Sequence, residues 1–168
     1  MGFLADMRHG RGFGVHSPWA YTMVMDVLRQ KAAYYRYGDV DALFARKADR
    51  RVARAVFRIL VSLRPGKVTV AGPPEWEKVV GYAGSAAADG PELLLVANPD
   101  STDAKSIIDR IGPDGIAVII RNSGYENLIS ELNSILPHTH GYILDTVRSL
   151  AIVNLRRDLP RQYLRARW

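Results

Sequence analysis

Three glycines at alternate positions, Gly10, Gly12 and Gly14, have the spacing of a loop that wraps a phosphate, and His16 follows them as a candidate general base. Phosphate cradling needs a strand before such glycines and a helix directly after them. No strand-like segment precedes Gly10, so packing or flexibility of an arm is the plainer use. No nucleophile or carboxylate is placed beside His16, which leaves an anchoring hydrogen bond as its ordinary role. His138 and His140 alternate at a strand entrance and could share a face, but two imidazoles without a third ligand make a poor metal site, and no metal is expected. Tyr34, Tyr35 and Tyr37 offer rings that could stack on a base. Tyrosines more commonly bury the ring and keep the hydroxyl wet.

Several chemistries are absent. The chain has no cysteine, which excludes disulfides, thiolate-ligated zinc and thiol catalysis. It has no Gly-x-Ser-x-Gly elbow, no Walker loop, no paired-histidine zinc motif and no RNA-recognition signature.

Charge is the other chemical signal. The net charge is +6, and the cations are clustered: Arg46, Lys47, Arg50, Arg51, Arg54 and Arg58 in one segment, Arg156, Arg157, Arg161, Arg165 and Arg167 in the tail. Such surfaces suit anionic partners such as nucleic acid. The alternative is a solvated helix face and a solubilising tail, favoured in the first cluster by the lack of interleaved aromatics. No apolar run approaches the roughly 18 residues needed to cross a bilayer, and Met1 to Arg11 lack the apolar core of a secretory signal. No membrane contact and a cytoplasmic location are expected.

The elements that must position these groups read as one α/β domain over residues 1–168: an arm over 1–16, a helical part over 17–63 and a strand–helix core over 64–168. Ser17-Pro18 is an N-cap followed by proline at the first helical position, and apolar spacing predicts a helix ending before Tyr34. A second helix is predicted from Val40 to Leu63 with a break near Asp49. Lys67 to Ala71, Leu93 to Val96 and Ile116 to Ile120 read as buried strands separated by helices. Asp100 or Ser101 is the expected cap of the helix carrying Ile107 and Ile111. Gly141 to Asp145 and Ser149 to Leu155 are strand-like and joined by three residues, too few for a crossover, so they should pair antiparallel. The expected architecture is a Rossmann-like three-layer sandwich with a mostly parallel sheet of about five strands and a terminal antiparallel hairpin.

Ligands of open α/β sheets bind beyond the carboxyl ends of the strands. Those positions here are Gly72, Asn98 to Asp100, and Arg121-Asn122-Ser123. Gly72, Asn98, Asp100, Arg121 and Asn122 are therefore the candidate binding residues.

The stretch Arg8-His9-Gly10-Arg11-Gly12-Phe13-Gly14-Val15-His16-Ser17-Pro18-Trp19-Ala20-Tyr21, with Tyr34-Tyr35 after it, resembles the opening of a bacterial group of class I S-adenosylmethionine (SAM)-dependent methyltransferase-like proteins. The tail Tyr142-Ile143-Leu144-Asp145-Thr146-Val147-Arg148-Ser149-Leu150-Ala151-Ile152-Val153-Asn154 is similar to their final hairpin. The middle matches only in its order of strands and helices. The resemblance implies SAM as cofactor, held near Gly72 and Asn98 with Asp100, Arg121 or Asn122 facing it. It also implies a glycine-rich turn and an acidic residue after the first strand. Here Gly72 is followed by Pro73, Pro74, Glu75 and Glu77, which remove backbone donors and place negative charge where the cofactor's carboxylate would approach. The acidic ribose-binding residue is missing, and so are one or two βα units.

The reading is a shortened methyltransferase-like protein with a reduced cofactor site and a binding or assembly role. Its alternatives are an active SAM-dependent methyltransferase and a basic nucleic-acid-associated module. The partners considered are a second copy of the chain, through a sheet edge bared by the missing units, and an anionic partner at the arginine-rich surface.

Overall fold

The computed structural model describes residues 17–84 and 87–168. The arm with Gly10, Gly12, Gly14 and His16 lies outside the described residues.

The fold begins at Ser17, whose hydroxyl accepts from the Ala20 N–H at 3.4 Å and starts α1, Pro18–Thr22. The helix then widens into a π-helical stretch, Met23–Leu28, that buries Met23, Val24, Val27 and Leu28. It ends at Leu28, before Tyr34 as the apolar spacing predicts. Next come α2, Tyr37–Ala42, and α3, Lys47–Leu63, so the break in the predicted second helix falls at 43–46, before Asp49. Arg64 closes α3 in the left-handed region (φ 46°), and Pro65-Gly66 turns the chain into β1, Lys67–Ala71. Then follow α4 (Glu75–Ala83), β2 (Glu92–Val96), a 3₁₀ turn at Pro99–Ser101, α5 (Ala104–Ile111), β3 (Ile116–Ile120), α6 (Tyr125–Ile135), β4 (Tyr142–Thr146), β5 (Leu150–Asn154) and β6 (Gln162–Ala166).

The strands form one sheet in the order β1-β2-β3-β5-β4-β6. The ladders β1–β2, β2–β3 and β4–β6 are parallel; β3–β5 and β4–β5 are antiparallel. The expectation of a mostly parallel sheet of about five strands is corrected to a mixed sheet of six. The predicted terminal hairpin is the β4–β5 pair, but β5 inserts between β3 and β4 and forms both antiparallel ladders. The added strand, β6, comes from the arginine-rich tail, where Leu164 and Ala166 alternate inward.

Side chains of the central strands alternate between two apolar clusters, as strand geometry requires. Leu93, Leu95, Val118, Ile120, Leu144 and Ile152 face the cluster containing α1 to α4. Leu94, Val96, Ala117, Ile119, Ile143 and Val153 face the cluster of α5 and α6. Helices therefore cover both faces. No helix among the described residues is long and apolar enough to cross a membrane.

This layering fixes the relative hand of the crossovers. The steps β1→β2, β2→β3 and β3→β4 all advance in one direction across the sheet. Their helices do not share a face: α5 and α6 lie on one, α4 on the other. The first crossover thus has the opposite hand to the next two. Since about 98% of such connections are right-handed, the exceptional left hand belongs to β1–α4–β2.

Candidate functional site

The carboxyl end of β1 is closed on one side by protein. The Ala97 and Asn98 N–H groups both donate to the Ala71 carbonyl, at 2.8 and 3.3 Å. Gly72 lies so close to the end of β2 that a β-carbon on it would stand 2.6 Å from the Ala97 methyl. Glycine is required here by the close approach of the Ala97 methyl. Beyond it, the Trp76 N–H bonds the Pro73 carbonyl and the Glu77 N–H bonds the Pro74 carbonyl, both at 3.2 Å. The first turn of α4 is folded back on its own prolines, with Glu75 and Glu77 in it.

The turns after β2 and β3 lock together beside this point. Asn122 Nδ2 donates to the Ala97 carbonyl at 3.2 Å. The Ser123 hydroxyl donates to Asp100 Oδ2. Gly124 has φ +77°, and a β-carbon there would lie 2.3 Å from Asp100 Oδ1. Asp100 therefore joins two turns instead of starting α5. The residue that caps α5 is Asp103, whose Oδ1 accepts from the Ser106 N–H at 2.9 Å. Gly72, Asn98, Asp100 and Asn122 thus gather at one end of the sheet, on adjoining turns that bond one another.

Arg121 turns elsewhere. It pairs with Glu126, lies 4.2 Å over the Tyr125 ring and reaches Asp145 at 3.5 Å. Asp145 is fully buried at the end of β4 and collects four groups. The Tyr125 and Tyr163 hydroxyls donate to it at 2.5 and 2.8 Å. Arg165 Nε stands 3.2 Å away without hydrogen-bond alignment, and Arg121 completes the set. Burial, reinforced by Asp145, pushes both phenols above their ordinary range. The hub has the character of a neutralised structural carboxylate. Its sequence signal was a charged residue inside the apolar run Tyr142 to Thr146.

The basic segment of α3 is largely spoken for. Arg58 is buried and donates to the Val27 carbonyl (2.7 Å), the Leu28 carbonyl (2.9 Å) and the Tyr37 hydroxyl (2.9 Å). It satisfies the carbonyls where the π-helical stretch ends. Arg54 pairs with Asp41, and Arg50 donates to the Phe44 and Ala45 carbonyls. Arg46, Lys47, Arg50 and Arg51 are exposed, as a solvated helix face requires, whereas Arg54 is half-buried and Arg58 buried. Tyr34 and Tyr37 pack against Phe57 at ring separations of 5.5 and 5.9 Å, whereas Tyr35 is 88% exposed. Among the described residues no three histidine, aspartate or glutamate side chains converge as a metal site.

Comparison with protein-family models, with curated proteins and with solved structures finds no match for this chain. Four backbone donors near the ends of β1 and β2, the N–H groups of Ala97, Asn98, Trp76 and Glu77, are taken up by the protein itself. A cofactor cradle needs backbone donors and open space against the first turn, and here the donors bond protein carbonyls and the inner side of Gly72 is occupied by Ala97.

Proposed function

We propose that this chain is a shortened, Rossmann-like relative of the methyltransferases whose role is binding or assembly, without methyl transfer. The observation that carries the non-catalytic part is the closed turn at Gly72, backed by Pro73, Pro74, Glu75 and Glu77. Consecutive prolines offer a ligand no N–H groups, and carboxylates in the first helical turn oppose a second carboxylate.

The kinship is supported by the shape of the sheet. A single reversed strand, β5, lies between β3 and β4, with the other five strands aligned. The exceptional hand of β1–α4–β2 has a simple origin in this reading. If α4 once led to further strands outside β1, and the chain then returned past β1 to β2, each step was right-handed. Deleting the outer strands joins α4 directly to β2 and leaves the hand reversed. The same deletion makes β1 an edge strand, whose outer backbone groups have no strand partner among the described residues. Bared edges favour association, which supports the assembly side of the reading.

Isothermal titration with SAM and with S-adenosylhomocysteine tests the proposal. No heat of binding at micromolar ligand is expected for either. Saturable binding in that range overturns the non-catalytic reading and favours an active methyltransferase.

A further inference from the structure

A second region at the carboxyl end of the sheet has a different character. It lies beyond β4 and β6, about 20 Å across the sheet from β1 at roughly 4.8 Å per strand. A groove of about 620 Å³ opens there between the start of α3, the β4–β5 turn and the residues after β6. Four cations line it, Lys47, Arg51, Arg148 and Arg167, with no Asp or Glu among the lining residues. Its apolar wall includes Val52 and Trp168.

The wall is rigidly held. Trp168 Nε1 donates to the Ser149 hydroxyl at 3.0 Å. Arg51 lies 4.8 Å from the indole centre and donates to the Trp168 backbone oxygen at 2.9 Å. The buried Arg58 guanidinium stands 5.7 Å from the same ring. Lys47 and Arg148, by contrast, are exposed and have neither a hydrogen bond nor an ion pair among the described residues. An aromatic wall fixed in place beside unpartnered cations is the combination that binds a phosphate chain and stacks its bases.

From this groove we infer a binding site for single-stranded nucleic acid, with phosphates on Lys47 and Arg148 and a base against the Trp168–Val52 wall. A duplex keeps its bases stacked on one another and has no free ring face to offer. Lys47 at the start of α3 and Arg148 in the β4–β5 turn offer two separate phosphate positions, which favours a strand over a mononucleotide. The inference does not depend on the ancestry of the sheet or on the turn at Gly72.

Fluorescence anisotropy with the 168-residue chain and labelled homopolymers of uridine and of thymidine, about ten nucleotides long, tests it. Binding at low salt should weaken as salt rises, with a log–log slope of roughly −1.4 for two phosphate contacts. The variant Lys47→Glu/Arg148→Glu should lose about tenfold or more in affinity. The variant Lys105→Glu/Arg157→Glu makes the same change in net charge at exposed positions outside the groove and should bind within about twofold of the parent. Equal losses in both variants would show general charge attraction and overturn the site. So would no binding to either homopolymer at low salt. Displacement by free uridine or thymidine monophosphate at equal nucleotide concentration would overturn the assignment to a strand. Failure of any of these leaves the SAM titration unaffected, and the converse holds.

Discussion

Asp145 has no exposed surface, and two arginines and two phenols surround it. Removing one member of a buried charge set leaves the others unpaired, so Asp145→Ala should cost about 3–5 kcal/mol in chemical denaturation. Tyr142 is the opposite case. Its hydroxyl is buried without a hydrogen-bond partner, while its ring meets Trp19 at 5.4 Å. Tyr142→Phe keeps the ring and removes the stranded hydroxyl, and should stabilise the protein by about 1 kcal/mol. Burial pushes the Tyr142 phenol up to about 12, above its unfolded value near 10. A group raised in this way contributes stability that is complete below the unfolded value and lost as pH rises through the folded one. The advantage of Tyr142→Phe in thermal melts should therefore widen between pH about 8 and about 11; a constant gap would contradict the buried-phenol assignment. Composition announced the arginines of α3 but not their partners. Arg58 becomes a buried ligand of the Val27 and Leu28 carbonyls only once the π-helical stretch lies across α3.

Elements announced by strong local chemistry were readable, and those decided by packing were not. Ser17-Pro18 marked the start of α1 because capping is local. The alternation Leu164–Ala166 that builds β6 was masked by Tyr163, Arg165 and the surrounding arginines. The end of the first helical stretch before Tyr34 was legible because its apolar spacing stops at Leu28, but its widening after Thr22 was not. The caps show the same limit. Asp100, Ser101 and Asp103 all precede α5 as plausible N-caps, and the 3₁₀ turn at Pro99–Ser101 selects the last. Asp103→Ala should therefore cost about 1 kcal/mol in urea denaturation. Asp100→Ala, which loses one exposed contact to Ser123, should cost less than about 0.5 kcal/mol. The reverse ranking would contradict the cap assignment. At the candidate site, the spacing of strands correctly brought Gly72, Asn98, Asp100 and Asn122 to one end of the sheet. It could not show that these turns bond one another, since that depends on how closely Gly72 meets Ala97 and Gly124 meets Asp100.

At the scale of the whole molecule, one end of the sheet carries two unlike regions. Around β1 to β3 the turns are knitted together and the space beside Gly72 is filled. Around β4 and β6, Lys47 and Arg148 stand unmatched beside a fixed indole. In the proposed reading, loss of the units outside β1 would leave a reversed crossover, a bared edge strand and a turn with no ligand to hold. The most direct test follows the backbone amides of Gly72, Ala97 and Asn98 by NMR while S-adenosylhomocysteine is added. If the turn is closed as described, these three signals stay in place up to millimolar ligand; saturable shifts confined to them would show that the turn opens to a nucleoside, and the non-catalytic reading would fail.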